Sequence, residues 1–143
     1  MRAGRFVVDT DVISETARPR PDPAVVRWLA REESIALAAI TVYELARGIE
    51  VKPSGKKKEF LAAWLARVLA SGLDVVAFDG EAALVAAHVE RDARRRGRSI
   101  AVHDLFILAS AKTRGLAVAT RNVAHFRGHG VTIFDPFTDT YAT

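Results

Sequence analysis

Cysteine is absent from this sequence. Its absence excludes disulfides, thiolate metal sites and cysteine nucleophiles. It also removes any need for an oxidising compartment, which favours the cytoplasm. Long apolar runs are missing too, and nothing approaches the roughly 20 residues a helix needs to cross a bilayer. Met1-Arg2-Ala3-Gly4-Arg5 leads into an apolar run that is broken at Asp9, too short for the core of a signal peptide. No internal repeat, low-complexity segment or interdomain linker is visible. The expectation is a soluble cytoplasmic protein with a single domain over residues 1–143 and no membrane partner.

What is present is ordinary globular material. Half of the 143 residues are hydrophobic and 27% are charged, enough for a real core and too apolar for disorder. The net charge of +4 suits a polyanionic partner such as nucleic acid, although many proteins with no such partner are mildly basic.

The stretch Phe6-Val7-Val8-Asp9-Thr10-Asp11 organises the rest. An apolar run ending in carboxylates reads as a buried strand of a parallel sheet, with the acids at its carboxyl end. In open α/β sheets that edge is where ligands bind. Further strands are expected at Ser34–Ala38, Asp74–Phe78, Leu116–Ala119 and Val131–Ile133. Helical patterns fall between them. Asp22-Pro23 reads as a cap followed by a first-turn proline, and Asp79 as the cap of a long helix ending at Gly97. Thr41 is expected to open a helix, and Gly115 to end one that begins near Ile100. Alternating strands and helices predict an α/β fold, a parallel sheet of four to five strands covered on both faces.

On that outline Asp9, Glu44, Asp104 and Asn122 gather at one sheet edge. Carboxylates that close repel one another and are costly to desolvate, and a divalent cation resolves both problems. An all-oxygen set points to Mg2+, with Mn2+ the alternative, rather than Zn2+. Each residue also has a structural reading. Asp9 suits an N-cap as well as a ligand. Thr41-Val42-Tyr43-Glu44 matches a capping box, which on its own would account for Glu44. Asp104 lies among apolar neighbours, where an unpartnered acid is expensive, so a functional role leads. Asn122 alone is an ordinary turn residue. His103 adjoins Asp104, which allows it a role, but reads first as a partly buried structural residue, His125 as able to orient a neighbour, and His88 and His129 as surface residues. Arg94-Arg95-Arg96 reads as cations complementing a helix C-terminus.

Four ordered segments, VVDTDVISE at 7–15, TVYELARGIE at 41–50, IAVHDLFILASA at 100–111 and VATRNVAHF at 118–126, resemble the PIN-domain family and, within it, the VapC-type toxins of toxin–antitoxin pairs. The resemblance implies an α/β/α sandwich and a metal-dependent endoribonuclease. By position Asp9, Glu44 and Asp104 match the family's acidic triad, Asn122 a fourth position that is acidic in many PIN domains and Asn in many toxin-like ones, and Thr120 the hydroxyl residue before it. Two departures stand out: Asp11 occupies a position where Asn is more usual, and Asn122 lacks the fourth charge. The resemblance assigns Mg2+ to Asp9 and Asp104 and leaves Arg121 to steer the RNA backbone. It also implies a cognate antitoxin, in a homodimer or a toxin–antitoxin hetero-oligomer.

Two alternatives stay open from sequence. Val7-Val8-Asp9-Thr10-Asp11 also fits the first motif of haloacid-dehalogenase-like phosphatases, with Asp9 as nucleophile, although no late acidic pair follows. The other is an RNA- or protein-binding module with a weak site. The helices between residues 23 and 70 carry Trp28 and Trp64, which suit either a partner surface or ordinary core.

Overall fold

The computed structural model describes residues 5–32 and 34–143. Met1–Gly4, part of the stretch read above as carrying no targeting signal, lie outside the described residues. The core strand β1 (Phe6–Val8) is buried along its whole length. Beside it run β2 (Ile35–Ala38) and β4 (Ala117–Ala119), both parallel to it, with Val7 opposite Ala36 and Val118. Outside these lie β3 (Asp74–Val76) and β5 (Ile133–Asp135), and with β6 (Thr140–Ala142) at the far edge the strand order is β3-β2-β1-β4-β5-β6. The final strand, β6, pairs antiparallel to β5.

Strand alternation assigns each side chain to a face. Val7, Ala36, Ala38, Val118 and Ile133 enter one core, with α5 (Gly80–Arg95) and α6 (Val102–Arg114) over it. Phe6, Val8, Leu37, Ala119 and Phe134 enter the other, beneath α1 (Thr10–Glu15), α2 (Pro23–Arg31), α3 (Ala39–Glu50) and α4 (Lys56–Ala70). Trp28 and Trp64 belong to this second core, so the core reading of those tryptophans holds. Phe60 and Leu69 of α4 stay exposed.

Helix ends follow local chemistry. Asp22 Oδ1 accepts from Ala24 N at 2.8 Å and Asp79 Oδ1 from Ala82 N at 3.0 Å, as expected of N-caps. Gly115 closes α6 with a left-handed φ of 66°, a backbone shape glycine adopts without strain.

The sheet has one strand more than the four to five expected. β6 escapes the sequence pattern because Thr140 and Tyr141 are exposed and carry no apolar alternation. Its anchor is the Tyr141 ring on Phe134, with centroids 4.6 Å apart. The strand expected at Val131–Ile133 begins instead at Ile133. The third strand stops at Val76, short of Phe78, whose ring stacks on Phe106 of α6 at 4.0 Å. Among the described residues no helix is long and apolar enough to cross a membrane.

Candidate active site

The carboxyl ends of β1 and β4 lie side by side. Asp9 N–H donates to Ala119 O at 2.8 Å, which seats Asp9 next to Thr120. Asp9 Oδ1 accepts from Thr10 N at 2.8 Å, making Asp9 the N-cap of α1. Its Oδ2 accepts from the Thr120 hydroxyl at 2.7 Å. That hydroxyl in turn accepts from Asn122 N at 3.0 Å. Capping therefore occupies one oxygen of Asp9 and leaves the carboxylate aimed at the edge. Burial raises its pKa above the usual carboxylate value. Hydrogen bonds from Thr120 and Thr10 oppose the rise, while the charges of Asp104 and Glu44 add to it.

Glu44 lies in the second turn of α3, and the capping box expected of it does not form. α3 begins at Ala39 with Ala38 as its uncapped N-cap, so Thr41 falls inside the helix. Its hydroxyl is buried without a hydrogen-bond partner. β2 runs straight into α3, leaving no turn for Thr41 to cap. Glu44 is thereby released toward the site: Oε1 accepts from the Thr10 hydroxyl at 3.1 Å and Oε2 meets His103 Nδ1 at 3.0 Å.

Asp104 stands in the first turn of α6 and pairs through Oδ2 with His125 Nδ1 at 3.0 Å. His125 belongs to α7 (Val123–Phe126) and orients a neighbour, as expected. His103 does not match its expected half-buried structural role: its side chain is 53% exposed and pairs with Glu44. No sequence pattern marks these two pairings, because each partner comes from a different helix.

Asp11 has a larger part than its sequence position suggested. Its Oδ2 accepts from Arg121 N at 3.1 Å and Asn122 Nδ2 at 3.3 Å, tying α1 to the turn after β4. The two positions that depart from the family pattern thus touch. Its Oδ1 is buried and has no hydrogen-bond partner. Burial, then the charge of Asp9, push the Asp11 pKa up to about 7. Asp135 adds a smaller push, while the hydrogen bond from the Arg121 amide and the nearby Val12 amide work against it. The Arg121 guanidinium rests over the Phe137 ring, 4.4 Å from its centroid.

Behind the site a set of cations holds the segment carrying Asn122 and His125. Arg96 donates to Gly128 O at 2.8 Å, and Arg98 to Arg127 O at 3.1 Å and Ala124 O at 3.2 Å. Lys112 reaches His129 O at 2.7 Å. Arg96 is therefore tied to another segment rather than merely complementing its own helix terminus. His129 is buried, contrary to its expected surface position, and accepts from Arg96 through Nδ1 at 3.1 Å. Burial and the cations around it lower its pKa.

The donor set suits a hard divalent cation: oxygen ligands, like charges drawn together, and a buried carboxylate oxygen with no partner. As placed, no group of three or more His, Cys, Asp or Glu among the described residues is gathered tightly enough to chelate an ion. Glu44 and Asp104 are each paired with a histidine instead, His103 and His125.

Comparison with known proteins agrees with this geometry. The PIN domain model matches residues 6–128. The chain belongs to the PIN-domain family. It is 38% identical to toxin FitB of Neisseria gonorrhoeae over 94% of this chain and 99% of that protein. It is 35% identical to VapC ribonuclease Y4jK of Sinorhizobium fredii, over 92% of this chain and 97% of the relative. The crystal structure of FitAcB from Neisseria gonorrhoeae superimposes with a TM-score of 0.85 at 37% identity, covering 92% of this chain and 98% of the other. By family this PIN domain is a nuclease of the VapC and FitB toxin type, which leaves the phosphatase alternative without support.

Proposed function

We propose that this chain is a divalent-metal-dependent endoribonuclease and the toxin of a toxin–antitoxin pair. The observation that carries the reading is the buried Asp9 carboxylate, with Glu44 and Asp104 close enough to raise its pKa, in a PIN domain. Asp9 and Asp104 would hold Mg2+, and Glu44 and Asn122 would complete its shell or orient water. When bound, such an ion lowers the pKa of a coordinated water and neutralises charge on the phosphate.

The chain's own residues supply the rest. Thr120 and Thr10 fix both oxygens of Asp9, so its direction is set before substrate arrives. Glu44 accepts the proton of the attacking water as general base, and the His103 ring, 3.0 Å from Oε2, orients its carboxylate. Water attacks phosphorus in line, the P–O3′ bond breaks, the departing 3′ oxygen takes a proton from solvent, and the products carry a 5′-phosphate and a 3′-hydroxyl. Arg121, Lys52 and Lys57 line a groove of about 720 Å3 that opens on Asp11 and Glu44, and their charges attract the RNA backbone.

The same groove has apolar walls from Leu45, Ile49, Leu61 and Trp64. It suits a neutralising antitoxin segment that packs its apolar side chains there and blocks the acidic edge. A neighbouring reading frame that encodes a short DNA-binding protein would fit this partner.

The decisive measurement is Mg2+-dependent cleavage of structured RNAs by wild type and Asp104→Asn, with a chelator control. Wild type is expected to cut only with Mg2+, and Asp104→Asn to lose at least about 100-fold in rate, the scale of a lost electrostatic contact in a reacting centre. Equal cleavage by both proteins would remove Asp104 from the site.

A further inference from the structure

The acidic edge has a cavity on each side. The long groove opens on Asp11 and Glu44. On the other side, a cavity of about 360 Å3 lies between the α5–α6 turn and α7, with Asp104 and His125 on its lip. A single RNA strand whose phosphate sits at Asp9 and Asp104 must leave in both directions. One direction follows the groove. The other passes the Asp104–His125 pair and meets the smaller cavity at once.

The shape and walls of that cavity suit one base. Its volume is at the lower end of the range for small-ligand pockets, roughly 300–1,000 Å3, which fits one nucleoside and not a folded helix. Ile100, Ala101 and Ala124 give apolar wall. Arg98 and His125 give planar, polar wall. Arg98 is fixed in place because its guanidinium donates to the carbonyls of Ala124 and Arg127. His125 is fixed by Asp104. Sequence-specific recognition of single-stranded RNA works through such surfaces: splayed bases stack on aromatic or guanidinium planes and are read at their edges.

We propose that this cavity reads the base of the nucleotide next to the scissile phosphate. The proposal rests on the ribonuclease reading and adds to it the place where one position of the cleavage sequence is chosen. Arg98 and His125 are then specificity-determining residues, with Ala101 and Ala124 leaving the room the base occupies.

Both alanines are exposed, so larger side chains fill the cavity without disturbing the core. The test has two arms. In the first, a random-sequence RNA pool is cut by wild type, Ala124→Phe and Ala101→Leu, and the ends are sequenced. Wild type should show a marked base preference beside the cut. Each filled variant should lose that preference about tenfold while preferences further along the strand persist. In the second arm, methyl resonances of Ile100, Ala101 and Ala124 are followed by NMR during titration with each nucleoside 5′-monophosphate and with inorganic phosphate. Shifts with at least one nucleotide, and none with phosphate, support the base pocket. Active wild type with the same cleavage profile in all three proteins and unmoved methyls would overturn the proposal and leave the ribonuclease reading intact. Nucleotide-dependent methyl shifts in a protein that cuts no RNA with Mg2+ would overturn the ribonuclease reading and retain the base pocket.

Discussion

The acidic edge and the basic cluster behind α7 pose the same electrostatic problem with opposite signs. In the basic cluster Arg96, Arg98 and Lys112 converge on one segment, and each finds main-chain carbonyls of residues 124–129 to donate to. Burial and their charge lower the pKa of His129 in their midst. The repulsion is settled inside the chain. At the acidic edge it is not. Among the described residues, no Lys or Arg pairs with Glu44 or Asp104, which meet the His103 and His125 rings instead, and Asp9 and Asp11 have no ion pair. Asp11 Oδ1 is buried with nothing to accept from. A like-charged cluster with internal partners is architecture, while one without them is built for something from outside. In the proposed function that is a cation, and after it a phosphate.

The sharpest way to break this contrast is to supply the missing charge. At a Mg2+ or Mn2+ concentration one hundredfold above its dissociation constant, linkage adds about 2.7 kcal/mol to stability. The midpoint of thermal unfolding should rise by several degrees, read by calorimetry with and without the ion. Asp9→Asn should lose that rise. Without metal it should unfold close to wild type, because removing a buried charge and keeping an oxygen for Thr10 offset the lost acceptor of the Thr120 hydroxyl. An equal metal-dependent rise in Asp9→Asn would dissolve the distinction between the two clusters.

The basic cluster should give the opposite pattern. Lys112→Met retains most of the aliphatic stem and removes the donor to His129 O, at a cost of about 1–2 kcal/mol. Denaturant unfolding reads the loss, and the metal-dependent stabilisation should persist undiminished. A variant that kept full stability but lost metal binding would place Lys112 in the site instead of behind it.

The two clusters also differ in how far sequence alone reveals them. Asp9, Glu44, Asp104 and Asn122 are legible because each lies at or just beyond a strand end or in a helix's opening turns, and parallel strands bring those ends to one edge. The central strands are legible for the same reason: Val7 and Val8 are buried on opposite faces. The capping box at Thr41 misled because local pattern matching cannot see β2 running directly into α3. The Arg96–Gly128 and Lys112–His129 contacts were hidden because a cation that binds a carbonyl leaves no mark on the residue that provides it. β6 was hidden because an exposed edge strand has no inward-facing apolar set to reveal its period.

The smallest expected effect separates the clusters by pH. Asp11 is raised to about 7 in the folded chain, whereas an unfolded Asp titrates near 4. Between those values the folded state holds a proton that the unfolded state has released. This contribution to stability is complete below about 4 and disappears as pH rises through about 7. Asp9, also raised, acts in the same direction. The midpoint of the metal-free protein should therefore fall by a few degrees between pH 5 and pH 8. Asp11→Asn should flatten most of that slope, and Lys112→Met should leave it in place. Bound cation should remove it as well, since binding favours the ionised carboxylates and strengthens as protons leave. A slope untouched by Asp11→Asn would move the proton to Asp9 and make the orphaned Asp11 oxygen a matter of packing rather than of charge.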